Sequence, residues 1–295
     1  MPKIALGPCQ YFWPREQTET FYARIAETSA DIVYLGESVC PKRRELRPED
    51  WIALGRELAA QGKEVVLSTL TLLEARSELG MVRRLCDNGE FRVEANDVAA
   101  VQMLREHQLP FVGGAFLNIY NPESLRLYRE QGMFRWVMPL EMGRDSLGAL
   151  LADYSAADVE TEVFAYGRMP LAWSARCYTA RYHDLPKDQC GLRCIEDPEG
   201  IPVHTRDGEL FLNINGIQTQ SGRVTNLLPE WQNMADMGVD VLRISPRPEG
   251  TAERIEALAA EMRGEQGAVA AMSEGEVEDC NGYWFGQAGM QVVRE

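Results

Sequence analysis

Short apolar runs alternate along the chain with longer amphipathic stretches, the rhythm of a strand followed by a helix many times over. Lys3 to Leu6, Ile32 to Leu35, Glu64 to Ser68, Phe91 to Val93, Ala115 to Asn118, Trp136 to Met138, Glu162 to Ala165 and Val241 to Ile244 read as eight strands. Most links between them suit right-handed βαβ crossovers, so the pattern predicts an α/β fold, a TIM-barrel-like (β/α) barrel. Helix punctuation agrees with it. Asn121 is placed to cap a helix, Pro122 sits where a missing N–H costs nothing, and Gly132 can end it. Pro48 and Gly62 bracket another helix, in which Trp51, Leu54, Gly55 and Leu58 recur at i, i+3, i+4 and i+7 as a core-facing stripe.

One stretch breaks the rhythm. About 75 residues separate the seventh strand from the eighth, far more than a βα connection needs, which makes this the expected seat of function. The chain therefore reads as a single barrel-like unit over residues 1–295 with an insert of about 167–226 between its seventh and eighth strands. Within the insert, Val203 to Thr205 and Glu209 to Asn213 suit a hairpin around Asp207-Gly208, and Asn226 is expected to start the following helix.

Composition is that of an ordinary globular protein, with 45% apolar and 25% charged residues. Thirty Lys and Arg against 45 Asp and Glu give a formal charge of -15, which would repel a phosphate backbone, so nucleic acid is not an expected partner. The densest basic run, Lys42-Arg43-Arg44, is offset by Glu45, Glu49 and Asp50 and reads as a solvated charged loop. The opening MPKIALGP does not read as a secretory signal and no run has the length of a membrane span, so a cytoplasmic location is expected.

In that compartment seven cysteines are better read as core residues, catalytic thiols or metal ligands than as disulfides. Cys177, Cys190 and Cys194 fall in a polar part of the insert, poor in the aliphatics that would bury an inert thiol. On one helical turn, Cys190 and Cys194 would present both sulfurs from a single face. Cys40 follows the second strand in IVYLGESVC, and residues just after barrel strands gather at the face that also carries the insert. These four thiols have the donor chemistry of an iron–sulfur cluster or tetrahedral zinc; the competing reading is four unrelated surface or structural thiols. Cys9 and Cys86 read as small buried hydrophobes. Cys280 precedes Tyr283, Trp284 and Phe285, which could be core packing or an aromatic lid over the barrel mouth.

Other chemistries are poorly supported. His107, His183 and His204 form no metalloprotease spacing, and the chain has no nucleophile elbow, Walker loop or dinucleotide fingerprint. His183 lies between Cys177 and Cys190, so a Cys–His nucleophilic pair is conceivable, but a solvent-exposed His in a loop explains it as well. Glu37, Asn96, Asn118, Glu141 and Arg168 lie near predicted strand ends, where they could line a pocket or serve as caps and loop residues.

At EVFAYGRMPLAWSARC the chain resembles the signature of the collagenase-like peptidase family U-32, with Glu162, Phe164, Gly167 and Cys177 in matching places. Pro170 stands where that signature has its first cysteine and Ala175 where it has a glycine. Together with Cys40 in GESVCPKRREL, and with GPCQYFWPRE, FLNIYNPESL and CNGYWFGQAGM, the departures resemble the branch of the family that serves ubiquinone biosynthesis without oxygen. That resemblance implies a [4Fe-4S] cluster on Cys40, Cys177, Cys190 and Cys194. It also implies a heterodimer with a UbiU-like sister subunit, and a part in hydroxylating the aromatic ring of a ubiquinone precursor.

Overall fold

The computed structural model describes residues 1–153, 158–273 and 279–294. Eight strands run parallel: β1 (Lys3–Leu6), β2 (Ile32–Leu35), β3 (Glu64–Ser68), β4 (Arg92–Ala95), β5 (Phe111–Gly113), β6 (Met133–Val137), β7 (Glu160–Trp173) and, last in sequence, β11 (Val241–Ile244). Neighbours pair in sequence order, and β11 bonds to both β1 and β7, closing a TIM-barrel-like ring. Helices α1 (Arg15–Ala26), α2 (Pro48–Ala60), α3 (Arg76–Cys86), α4 (Val98–Glu106), α5 (Pro122–Glu130), α6 (Arg144–Leu151) and α9 (Thr251–Met262) occupy crossovers or follow the last barrel strand. Among the described residues no helix is long and apolar enough to cross a membrane.

The predicted punctuation is present. The Asn121 side chain accepts the Ser124 N–H at 2.8 Å to start α5, and Trp51, Gly55 and Leu58 of α2 are buried. The fifth strand differs from the prediction: it is Phe111–Gly113, whereas Ala115–Leu117 is a 3-10 turn. Asn118, with φ of 55°, ends that turn in the left-handed region that an extended strand does not use. Close packing explains why Gly113 serves in the strand, because a Cβ there would lie 2.3 Å from the Met133 sulfur of the neighbouring strand.

Two apolar layers result. Ala5, Ile32, Tyr34, Val66, Val112, Val137 and Val241 cluster on the inner side of the barrel strands, while the larger core lies between barrel and helices. The barrel also buries charge that the apolar pattern did not reveal. Arg243 Nε donates to Glu162 at 2.6 Å, its Nη1 lies 2.8 Å from Glu94, and its guanidinium stacks 4.1 Å over Tyr34. The Tyr34 hydroxyl donates to Glu162 at 2.5 Å, and the Ser68 hydroxyl to Glu94 at 2.6 Å. At the other end of the strands, Arg135 pairs with Glu64 at 2.9 Å and with Glu160 at 2.6 Å.

After its barrel half, β7 runs on as a ribbon. Helix α7 (Tyr178–Tyr182) and two 3-10 turns come next, followed by β8 (Ile201–His204), β9 (Leu210–Asn215) and β10 (Gln218–Asn226). These three strands are antiparallel, and β10 pairs back onto the outer part of β7, so the insert is a small sheet growing from a barrel strand. The expected hairpin is β8–β9, with Gly208 at φ of 86° in its turn. Asn226 ends β10 instead of opening a helix. Its side chain accepts the Leu228 N–H at 3.2 Å, a 3-10 turn follows, and α8 begins only at Trp231 (Trp231–Asp236). Helix α10 (Ala268–Ser273) and β12 (Asp279–Cys280), which pairs with β10, end the described elements. Trp284 is 2% exposed and belongs to the outer core, so the aromatic run is anchored by packing.

Candidate metal centre

The seven cysteines, all free, divide by environment. Cys9, Cys86 and Cys280 are buried, whereas Cys40, Cys177, Cys190 and Cys194 are half-buried. All four of the latter follow the ends of β2 or β7, so parallel topology puts their segments on the C-terminal face of the barrel.

Cys40 is held by a tight turn. Oε1 of Glu37 accepts the N–H groups of Val39 at 2.7 Å and Cys40 at 2.9 Å, and the Arg43 N–H closes on the Cys40 carbonyl at 3.0 Å. Cys177 is the N-cap of α7, its sulfur accepting the Ala180 N–H at 3.4 Å. Cys190 and Cys194 do not share one helical turn as expected. Cys190 ends the 3-10 turn Lys187–Gln189, Cys194 lies in the turn Arg193–Glu196, and Gly191 and Leu192 between them have φ of 59° and 55°. Two left-handed residues in succession reverse the chain, which helical geometry does not permit.

Arg43 sits among these segments. The sequence reads it as part of a solvated run, yet it is 3% exposed, with both terminal guanidinium nitrogens bonded inside the protein. Nη1 donates to the Gln10 carbonyl and Nη2 to Asn215 Oδ1, both at 2.7 Å, and Glu37 lies 3.9 Å away. Asn215 Nδ2 donates to the same Gln10 carbonyl at 2.7 Å, and the Gln218 amide donates to Gln10 Oε1 at 2.8 Å. Gln10, Asn215 and Gln218 are all buried, so a polar network joins the loop after β1, the loop after β2 and the insert sheet.

Burial pushes the Cys40 thiol up to about 11, against the pull of Arg43, and Cys194 adds to the rise. Burial likewise raises Cys194, opposed by the charge and hydrogen bond of Arg43 and reinforced by Glu37 and Cys177. Burial disfavours the Arg43 cation, but Glu37, Cys194 and Cys40 outweigh it and raise its pKa. Cys40 and Cys194 thus share the electrostatic neighbourhood of Arg43, and Cys177 lies close enough to act on Cys194. Lys42 ties the Cys40 loop to the insert by donating to the Lys187 carbonyl at 2.8 Å, and a cavity of about 430 Å³ opens beside Cys40, Lys42, Ala175 and Lys187.

Among the described residues no three Cys, His, Asp or Glu side chains stand close enough to hold one metal ion together. The donor chemistry nevertheless fits a thiolate-bound group. Four half-buried thiols sit on turns rather than inside rigid helices, and Arg43 supplies a cation that offsets thiolate charge.

The other candidates have structural partners. Glu141 accepts the Tyr120 hydroxyl at 2.7 Å, Asn96 donates to the Thr69 carbonyl at 2.9 Å, Arg168 donates to Gly222 O, and Asn118 ends a 3-10 turn. His183 is the C-cap of α7, while the Cys177 sulfur is engaged as the N-cap of the same helix. Sequence reasoning missed Arg43, Gln10 and Asn215. The signal available was the polar alternation Asn213, Asn215, Gln218 and Gln220, which is unusual for strands that turn out to be buried.

A closed parallel barrel with its chemistry-bearing side chains in the loops after the strands defines a TIM-barrel-like protein. The profile of peptidase family U32 matches residues 16–279, and the chain belongs to that family. A collagenase from Porphyromonas gingivalis is 24% identical over 250 residues, which cover 79% of this chain and 59% of that protein. The chain thus spans little more than half of that relative. A solved U32 peptidase superposes with a TM-score of 0.46 at 14% identity, over 84% of this chain and 94% of that one. A candidate dihydrodipicolinate synthetase from Pseudomonas aeruginosa gives 0.50 at 10% identity, over 92% and 80%.

Proposed function

We propose that this chain is an iron–sulfur subunit required for oxygen-independent hydroxylation of the aromatic ring in ubiquinone biosynthesis, the role of UbiV, which it resembles. In this reading it works as a heterodimer with a UbiU-like sister subunit. The carrying observation is the division of the cysteines: Cys40, Cys177, Cys190 and Cys194 are half-buried on one barrel face, and the other three are buried. Cys40, Cys177, Cys190 and Cys194 would hold a [4Fe-4S] cluster, which supplies electron transfer or a cross-link between insert and barrel. Arg43 then balances the negative charge of the thiolates and, through Asn215 and Gln10, holds the insert in register. A hydroxylation that does without oxygen needs a route for electrons, which such a group provides.

The likeness to a collagenase supports a second reading, a peptidase. It would need a nucleophile activated by a base, and the engagement of Cys177 in capping α7 argues against that thiol in the role.

The test is to purify the chain without oxygen and record its visible spectrum with iron and sulfide content, for the wild type and for single Ala variants of the four cysteines. Broad absorbance lost in each variant and retained in Cys86→Ala supports the reading. A chromophore that survives all four changes rejects these ligands.

A further inference from the structure

A second cavity lies on the flank of the barrel, between α2, α3 and the loop after β2, with a volume of about 540 Å³. That is the size of a pocket for a drug-sized organic molecule, roughly 300–1,000 Å³. Its inner wall is apolar: Leu46, Leu70, Val82 and Leu85 line it and are all buried. Trp51 completes the wall at 8% exposed, and its indole N–H is buried without a hydrogen-bond partner. An unpaired buried donor costs about 1–3 kcal/mol, a cost that a bound acceptor removes.

The rim carries Arg44, Arg47 and Arg84, all exposed. The carboxylates nearby are already engaged. Glu78 accepts the N–H groups of Glu74 and Ala75 at 2.6 and 2.9 Å, Glu37 is taken up by the Cys40 turn, and Glu49 faces Arg84 at 3.9 Å. The exposed Arg47 guanidinium interacts electrostatically with Asp50, whose carboxylate is bonded to Arg15 at 2.8 Å. Three exposed guanidinium groups therefore stand at the mouth of a largely apolar slot, beside carboxylates that already have donors.

We infer that this cavity binds an amphipathic organic acid, with a carboxylate at the arginine rim and an aryl or alkyl body against Leu46, Leu70 and Trp51. A purely polar ligand does not fit this arrangement, since it would meet hydrocarbon on the inner wall. The site stands whether or not a metal group occupies the neighbouring thiols, and its test reads binding alone.

The probes are 4-decyloxybenzoate, its methyl ester and dodecanoate, titrated calorimetrically into the full chain, wild type and Arg47→Ala/Arg84→Ala. Loss of charge-assisted bonds predicts that the ester, and the acid with the double variant, bind about 10- to 100-fold more weakly than the acid with wild type. The Trp51 indole resonance, identified by its disappearance in Trp51→Phe, should shift on adding acid. Tighter binding of the benzoate identifies aryl acids as the ligand class and tighter binding of dodecanoate fatty acids; either order supports the site. Equal binding of acid and ester, unchanged affinity in the double variant, or a Trp51 resonance that does not move overturns the inference.

Discussion

Replacing Arg43 with Met keeps an unbranched apolar stem and removes the guanidinium. The change deletes two 2.7 Å bonds, to Gln10 O and Asn215 Oδ1. Gln10 O keeps a donor in Asn215 Nδ2, but Asn215 Oδ1 is left unpaired in a residue 2% exposed, and Glu37 loses a cation 3.9 Å away. Hydrogen bonds from a charged donor are worth about 1.5–3 kcal/mol each, and removing one member of a buried charged set costs about 3–5 kcal/mol. Met packing recovers little of this, so the expected loss is about 3–5 kcal/mol. The control is Arg44→Met, an exposed neighbour whose loss should stay within about 0.5 kcal/mol. Urea unfolding of the iron-free chain followed by circular dichroism measures both. With a slope of about 3 kcal/mol/M, the Arg43 variant should unfold about 1–1.7 M earlier. Equal midpoints for the two variants would refute the claim that this network fastens the insert to the barrel.

In the iron-free chain, burial pushes the thiols of Cys9 and Cys86 up to about 12, so at pH 8 only about one in ten thousand is thiolate. Iodoacetamide followed by mass spectrometry should mark the half-buried Cys177 and Cys190 well before either, and early labelling of Cys9 would contradict the structure. Arg243→Met strips the cation from Glu94 and Glu162 and should cost about 3–5 kcal/mol, a melting-temperature drop of about 10 °C; an unchanged melt would mean that the buried triad does not form. The hydrogen bond from Arg15 lowers the Asp50 carboxyl below its usual 3.8, so its contribution is present above that value and lost as pH falls through the folded-state pKa. Because the pair is largely exposed, Asp50→Asn should cost under about 1 kcal/mol at pH 7 and nothing near pH 2, by denaturation at the two pH values.

The barrel was legible because its strands are apolar on both sides and its helices carry caps, as at Asn121 and Pro48. Strand five was misread because Ala115 to Leu117 is as apolar as Phe111 to Gly113, and only the left-handed turn at Asn118 and the packing of Gly113 on Met133 separate them. Cys177, Cys190 and Cys194 stood out by their polar surroundings, and Cys40 by its place just after the second strand. Arg43 did not, since a basic triplet looks solvated until its partners, Gln10 and Asn215, arrive from 33 and 172 residues away. The interior pairs of Arg243 and Arg135 were hidden for the same reason: their partners lie on strands distant in sequence.

The central claim is that Cys40, Cys177, Cys190 and Cys194 jointly ligate one iron–sulfur group. Iron-edge X-ray absorption on protein isolated without oxygen tests it most directly. The account predicts a first shell of sulfur alone with iron–iron scattering beyond it, and loss of that signal when any of the four becomes Ala. Protein containing stoichiometric zinc in a sulfur shell, or no bound metal after anaerobic reconstitution, would contradict it.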